Sequence, residues 1–425
     1  MTPITVEAEA RRRLRVSMVV LLVASATALT ACGIGGDEAS GPRTVNWYAF
    51  NEPGGAYEQS IADCNKQANG RYDIQYVRLP TDANQQRELV VRRLAAEDDT
   101  VDIVNMDVPW TAEFAEAGWI LPWTGEREQV AEQGRLDGPL ESVRYQDKIW
   151  AIPYTSNTQL LWYRKDRVDK PAANFTWDEM IDQAVENGTQ VEVQARQYEG
   201  FTVWINALIE GAGGQLVNAQ GEDVVDDTAK TAAEIVSKLA NSSAAPPGMS
   251  TNAEDDARLG FESGRSDYQI NYSFIYPSAA EVSEDFQRNI GWARYPRSVA
   301  DRESRPPLGG FNLGIGAFSK KKDLAFEAAE CLASEDSQLV AAEKGGLAPS
   351  SAAVYERPAL KKAFPFADLL RQSIDQAGPR PVTPAYTDIS QAIQKTFHPP
   401  ADVDPDTIVD QLRERIDKAA EGGIF

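Results

Sequence analysis

One histidine and three cysteines are all the imidazole and thiol chemistry this chain of 425 residues contains. The histidine, His398, lies in Phe397-His398-Pro399-Pro400, which reads as a surface loop. With so few soft ligands no zinc site of the usual spacing can be drawn, and the sequence implies no metal and no cofactor. A Ser-His-Asp or Cys-His machine would have to use that one histidine. No Gly-x-Gly-x-x-Gly follows a strand, and no Gly-x-x-x-x-Gly-Lys is present, so dinucleotide and P-loop chemistry are also excluded. Positive charge is scarce: 42 Lys and Arg stand against 64 Asp and Glu, a formal charge of −22. Such a surface is unsuited to nucleic acid or to anionic lipid. A long apolar run is missing too, because the stretch from Val16 to Leu29 is too short to cross a bilayer as a stable helix. The expectation is a protein that is not an enzyme.

That short stretch has a different use. Arg11, Arg12, Arg13 and Arg15 precede it, and Leu29-Thr30-Ala31-Cys32 follows it. A basic cluster, an apolar segment and small residues before a cleavage point make a secretory signal. The final four residues resemble the lipobox of bacterial lipoproteins, in which the cysteine carries the lipid and becomes the mature N-terminus. Residues 33–42, Gly-Ile-Gly-Gly-Asp-Glu-Ala-Ser-Gly-Pro, are a flexible polar tether. Residues 1–31 are therefore expected to be a signal peptide and 32–42 a tether lipidated at Cys32, with the protein anchored extracytoplasmically on the cell membrane. Cys64 and Cys331 then remain as an even pair in an oxidising compartment. A disulfide between them is expected, and two separately buried thiols are the alternative.

Beyond the tether the chain is long enough for two ordinary domains. Thr44 to Phe50 reads as a strand, with a helix to about Lys66, a strand from Arg71 to Leu79, a helix capped near Asp82, and a buried-type strand from Val101 to Met106. That alternation predicts an α/β layer with parallel pairing, whose ligand loops leave the carboxyl ends of the strands. Glu52 and Asp107 both sit at such ends. Ile152 to Tyr163 is an extended segment suited to crossing between lobes. Helices are expected over Trp177 to Val185, Phe201 to Ile209, Ala229 to Leu239, Ala325 to Leu332, Ser337 to Glu343, Ala363 to Asp375 and Ile408 to Ala420. Asp267 to Phe274 and Phe311 to Phe318 are expected strands.

Several fragments, in this order, resemble the carbohydrate-binding proteins of ABC importers. They are Arg87 after Asp82-Ala83-Asn84-Gln85-Gln86, then Asp102 to Trp110, Ala117-Gly118-Trp119-Ile120-Leu121-Pro122, and Pro153 to Thr158 running into Leu161 to Asp166. Phe261-Glu262-Ser263-Gly264-Arg265, Asn271-Tyr272-Ser273-Phe274 and Gly309 to Ile315 complete the set. Within that family the leader and motifs look most like mycobacterial trehalose-binding lipoproteins. The resemblance implies an α/β, two-lobe periplasmic-binding-protein-like fold of the maltose-binding type, closing over a sugar. The N-lobe is expected to be 43–153 with 312–355, and the C-lobe 154–311 with 356–425. Cys331, after the strand that returns the chain to the N-lobe, would then share a lobe with Cys64.

The same resemblance assigns Asn51, Glu52, Arg87, Asp107 and Asn157 to the ligand from one side, and Glu254, Tyr272, Gly310, Phe311 and Arg380 from the other. The chemistry is suitable: vicinal hydroxyls donate and accept, and want fixed carboxylates, amides and a guanidinium, while the C–H faces of a sugar want flat rings. The implied partners are a neutral disaccharide, trehalose above all, and the permease subunits of an importer. Two other functions use the same residue types. A secreted glycoside hydrolase would pair Asp107 with Glu254 across a sugar bond, although Arg380 is expected to depress an acid that such a mechanism needs raised. A binder of peptides or amino acids would use the arginine to clamp a carboxylate.

Overall fold

The computed structural model describes Gly41, residues 43–218 and residues 221–420. Cys32, the leader and all of the tether except Gly41 lie outside the described residues. Among the described residues no helix is long and apolar enough to cross a membrane.

Two sheets organise the chain. The first contains β1 (Thr44–Phe50), β2 (Asp73–Leu79), β3 (Ile103–Asp107), β4 (Ala151–Asn157) and β9 (Gly309–Ile315), in the order β2-β1-β3-β9-β4. β1 pairs parallel with β2 and β3, and β9 pairs antiparallel with β3 and β4. The second contains β5 (Leu160–Arg164), β6 (Gln190–Glu192), β7 (Ser266–Asn271) and β8 (Ile290–Ala293), in the order β8-β5-β7-β6.

Each sheet carries its own core. Helices α1 (Ala56–Ala68) and α2 (Ala83–Ala95) follow β1 and β2. They cover the first sheet together with α5 (Lys322–Leu332). β1 and β3 are buried nearly end to end, as expected of central strands with both faces covered. α2 begins at Asp82, whose carboxylate accepts the Gln85 N–H at 3.1 Å. Cys64 of α1 is disulfide-bonded to Cys331 of α5, with 5.9 Å between their Cα atoms. The second sheet packs against α3 (Glu199–Ala212), which is apolar nearly all round and correspondingly buried. α4 (Glu254–Glu262), α6 (Tyr386–Phe397) and α7 (Ile408–Ala420) complete that lobe.

The segment from Ile152 to Tyr163, expected as one crossing piece, is two strands in different sheets, interrupted at Thr158 and Gln159. Tyr154–Asn157 and Gly309–Phe311 stay paired within the first sheet. The chain thus changes sheets at 158–159 and between 294 and 308, not at 154 and 311–312. The strand expected to run to Phe274 ends at Asn271, which frees Tyr272 to leave the sheet. The helix expected over 363–375 is interrupted before Pro365, which cannot sit inside one, and resumes at Ala367. His398 is half-buried rather than a surface residue: its ring faces the Ser250 carbonyl at 3.0 Å and packs edge-on to Phe201.

Candidate functional site

Parallel strands deliver their loops to one edge, and the first sheet does this with Phe50 and Glu52 after β1 and Asp107 at the end of β3. Phe311 lies opposite Asp107 in the register, Gly310 opposite Ser156, and Gly309 opposite Asn157. Phe311 stacks on Phe50 with centroids 5.0 Å apart, so one edge carries a ring pair, a carboxylate and an amide. Gly310 has φ of 128°, and an added Cβ would lie 2.3 Å from the Thr155 carbonyl oxygen. Only glycine lets β9 approach β4 this closely. The Asn157 side-chain oxygen is buried and has no hydrogen-bond partner among the described residues.

Asp107 opens a short turn, Val108–Trp110, yet its side chain caps nothing. Both carboxylate oxygens instead receive Arg380, from Nη2 at 2.6 Å and Nη1 at 2.9 Å. Arg380 is anchored on the second lobe: Gly378 bridges to Pro307, and Asn206 of α3 donates to the Pro379 carbonyl at 3.3 Å. Its Nη1 also donates to Glu199 at 2.6 Å. Arg380 is 4 % exposed, and its Nε has no partner among the described residues. Burial works against its charge, but Asp107, Tyr386 and Glu199 outweigh that and hold its pKa above the ordinary value.

Glu199 itself accepts from the Tyr386 hydroxyl and, at 2.6 Å, from the Ser390 hydroxyl. Burial raises its pKa, Arg380 opposes the rise, and Asp107 adds to it. Glu254, at the start of α4, is likewise raised by burial, with the Tyr198 hydroxyl opposing. Tyr272 is raised by burial and next by the charge of Glu254, and it also feels Arg380, Asp107 and Glu199. These residues therefore share one electrostatic neighbourhood. At Glu199 desolvation exceeds the arginine's pull, so this acid is raised rather than depressed. Asp82 and Arg196 make a second link between the lobes at 2.6 Å, with the guanidinium lying over the Tyr198 ring at 4.2 Å.

The other expected residues are placed differently. Glu52 is buried and turned inward, accepting the backbone N–H groups of Gly54 and of Ala56, the first residue of α1, the latter at 2.7 Å. Asn51 is exposed. Arg87 pairs with Glu113 through two bonds, one of them 2.9 Å from Nε. It borders a 230 Å³ cavity walled also by Trp110, Glu199, Tyr386 and Ser390. A second cavity of 610 Å³ lies on the second lobe beside Glu210, Gly213, Arg302 and Arg305.

Glu199, Tyr386 and Ser390 were not expected from the sequence. The signal for the last two was an unread helix: Ile389, Ile393 and Phe397 recur every fourth residue, and all three are buried. Glu199 stands at the start of a helix read as beginning at Phe201, where a carboxylate normally looks like a solvated N-terminal charge. Among the described residues no group of three or more His, Cys, Asp or Glu could hold a metal ion.

The profile of the family described as "Bacterial extracellular solute-binding protein" matches residues 49–339. A probable ABC transporter-binding protein of Deinococcus radiodurans is 24 % identical over 366 residues, covering 80 % of this chain and 86 % of its own. The diacetylchitobiose-binding protein DasA of Streptomyces coelicolor is 22 % identical over 275 residues, 63 % of each chain. Among solved structures, maltose-bound MalE3 of T. maritima superposes with a TM-score of 0.77 at 25 % identity, covering 89 % of this chain and 98 % of that one. The GacH receptor of Streptomyces glaucescens, at 21 % identity and a TM-score of 0.76, covers 90 % of this chain and 99 % of that one and shows the shared fold. The fold is the two-lobe, mixed α/β arrangement of maltose-binding proteins.

Proposed function

From the chain's membership of the bacterial extracellular solute-binding proteins, a family of binders rather than enzymes, we infer that it captures a neutral disaccharide and delivers it to an ABC importer. The observation that carries this reading is the Asp107–Arg380–Glu199 cluster. It joins both lobes, buries a guanidinium and leaves that guanidinium's Nε–H without an acceptor among the described residues. A buried donor without a partner is costly, and a sugar hydroxyl supplies the acceptor while its own proton finds a carboxylate or the free oxygen of Asn157. Phe50, Phe311 and Tyr272 offer rings to the C–H faces. No excess positive charge is available to hold an anion, because Arg380 is already shared by two carboxylates, and Arg87 and Arg196 are paired with Glu113 and Asp82.

Trehalose is the disaccharide we propose, on the resemblance of the motifs to the mycobacterial trehalose-binding lipoprotein LpqY. Asp107, Asn157, Glu254, Tyr272, Phe311 and Arg380 are the residues proposed to touch it, with Gly310 setting the approach of the strands. The protein is proposed to be held on the outer face of the membrane through Cys32 and to dock on permease subunits there. The experiment is calorimetry against a panel of mono- and disaccharides, with free monosaccharide assayed in the same samples. Saturable binding of trehalose without hydrolysis supports the reading. Release of glucose would replace it with the glycoside hydrolase, and binding only of amino acids or peptides would replace it with that class.

A further inference from the structure

Arg380 has two carboxylate partners of different standing. Glu199 and Arg380 belong to the same lobe, tied by the Asn206 contact to Pro379. Asp107 comes from the other lobe, so its contact with Arg380 exists only when the lobes are together. Glu199 is also braced: Ser390 and Tyr386 donate to it, and Gln394 donates to both Ser390, at 3.0 Å, and Thr202, at 3.1 Å. The network is buried and runs from α3 to α6 without using the first lobe. A buried, multiply bonded carboxylate of this kind fixes the rotamer of the guanidinium it holds.

We propose that Glu199 is a positioning residue, holding the Arg380 fork in the second lobe before closure, so that Asp107 and the ligand meet it already oriented. This rests on the sugar-binding reading only for what the ligand is. It has a consequence for protons. In the open protein Glu199 keeps Arg380, Tyr386 and Ser390, and its charge is felt at Tyr272. Closure brings up Asp107 and, across the 230 Å³ cavity, Glu88 and the Arg87–Glu113 pair. Arg87 arrives already neutralised, so the net change is added negative charge and lost water around Glu199. Closure therefore raises the proton affinity of Glu199, and the closed state takes up proton as the pH falls. Ligand affinity weakens as pH rises through the closed-state titration of Glu199.

The test uses the full chain with Glu199→Ala, Glu199→Gln, Arg380→Ala and the double variant Glu199→Ala/Arg380→Ala. Without ligand, the Arg380 Nη1–H resonance, assigned by its loss in Arg380→Ala, is expected to be slow to exchange in the parent, because Nη1 is the nitrogen that Glu199 holds. It is expected to stay slow in Glu199→Gln, which keeps an acceptor, and to become fast in Glu199→Ala. With trehalose, Glu199→Ala is expected to lose about tenfold or more in affinity. It should lose nothing further in the Arg380→Ala background, and Glu199→Gln should flatten the pH dependence. A resonance equally slow in Glu199→Ala, or additive losses in the double variant, overturns the proposal. If the parent does not bind trehalose, the ligand assignment fails and the resonance still decides the role of Glu199.

Discussion

Asp107 and Arg380 are 273 residues apart in the chain and meet fork to fork, two guanidinium nitrogens on two carboxylate oxygens. The two residues serve folding unequally. Removing Asp107 leaves Arg380 still paired with Glu199, so Asp107→Ala should cost little stability. It removes a charged partner from the cleft, and trehalose affinity is expected to fall about five- to hundredfold, the equivalent of roughly 1–3 kcal/mol. Arg380→Ala instead leaves Glu199 buried without its cation, a loss on the order of 3–5 kcal/mol of stability besides the loss of binding. Calorimetry and chemical denaturation of the two variants give both numbers. Trehalose affinity at the parental level in both would show that the sugar sits elsewhere.

Cys32 is outside the described residues, and its role rests on the leader alone. Cys32→Ala should abolish incorporation of labelled fatty acid, block processing by the lipoprotein peptidase, and move the protein from the membrane to the soluble fraction. Acyl label persisting on the variant would remove the lipid from that cysteine. The diacylglyceryl group expected on Cys32 carries two acyl chains, enough for stable anchoring, so the shift in fractionation should accompany the loss of label.

The first lobe was more legible in the sequence than the second. Its strands are short apolar runs separated by capped helices, and periodicity alone places β1, α1, β2 and α2 to within about two residues. Asp107 stands at a strand's carboxyl end, where ligand loops leave, whereas Arg380 entered only through the family resemblance. What could not be read was commitment. Nothing in the local sequence distinguishes Glu52 bonded to the backbone before and at the start of α1 from Glu52 as a ligand, because both uses need a carboxylate just after a strand. Arg87 likewise finds Glu113 only through tertiary packing. Glu199 was missed for the opposite reason: it looks like an ordinary first-turn acid, and its burial comes from α6, more than 180 residues later in the chain.

Gly310 carries a sharp prediction about the edge that bears Asn157 and Phe311. Ala at this position keeps φ near +128°, where a side chain is strained, and places its Cβ 2.3 Å from the Thr155 oxygen and 2.7 Å from the Ser156 Cα. Backbone cannot move aside as a flexible side chain can, so β9 and β4 must separate. Gly310→Ala should lose more than about 1–3 kcal/mol of stability and weaken binding as well, since both neighbours in the register shift. Gly188→Ala is the control: its φ of 66° is also positive, but an added Cβ meets nothing within 4 Å. Equal losses in the two variants would show that the strand approach contributes nothing beyond the backbone angle.

Glu210 lies at the opposite end of α3 from Glu199 and gives the fold a pH dependence. Burial lifts its pKa to about 7, against the pull of Arg305 and a hydrogen bond from Asn206. Its side chain is 11 % exposed, and Arg305 stays 3.5 Å away, too far for a good charge-assisted bond. Oε2 lies so close to Gly378 that a Cβ there would be 1.7 Å from it, which leaves no room for a compensating group. A carboxyl whose folded pKa exceeds its unfolded value of about 4.3 adds stability that is complete below that value and is lost as pH rises through about 7. Above pH 8 the loss amounts to about 4 kcal/mol, taking about 1.4 kcal/mol for each pKa unit. Glu210→Gln keeps the shape without the charge, so its stability relative to the parent should rise between pH 5 and pH 8 and then level off. Denaturant midpoints of both proteins at each pH isolate this group, because every other titration cancels in the difference. A difference that stays constant from pH 5 to pH 8 would mean that Glu210 ionises in the folded protein as it does in water.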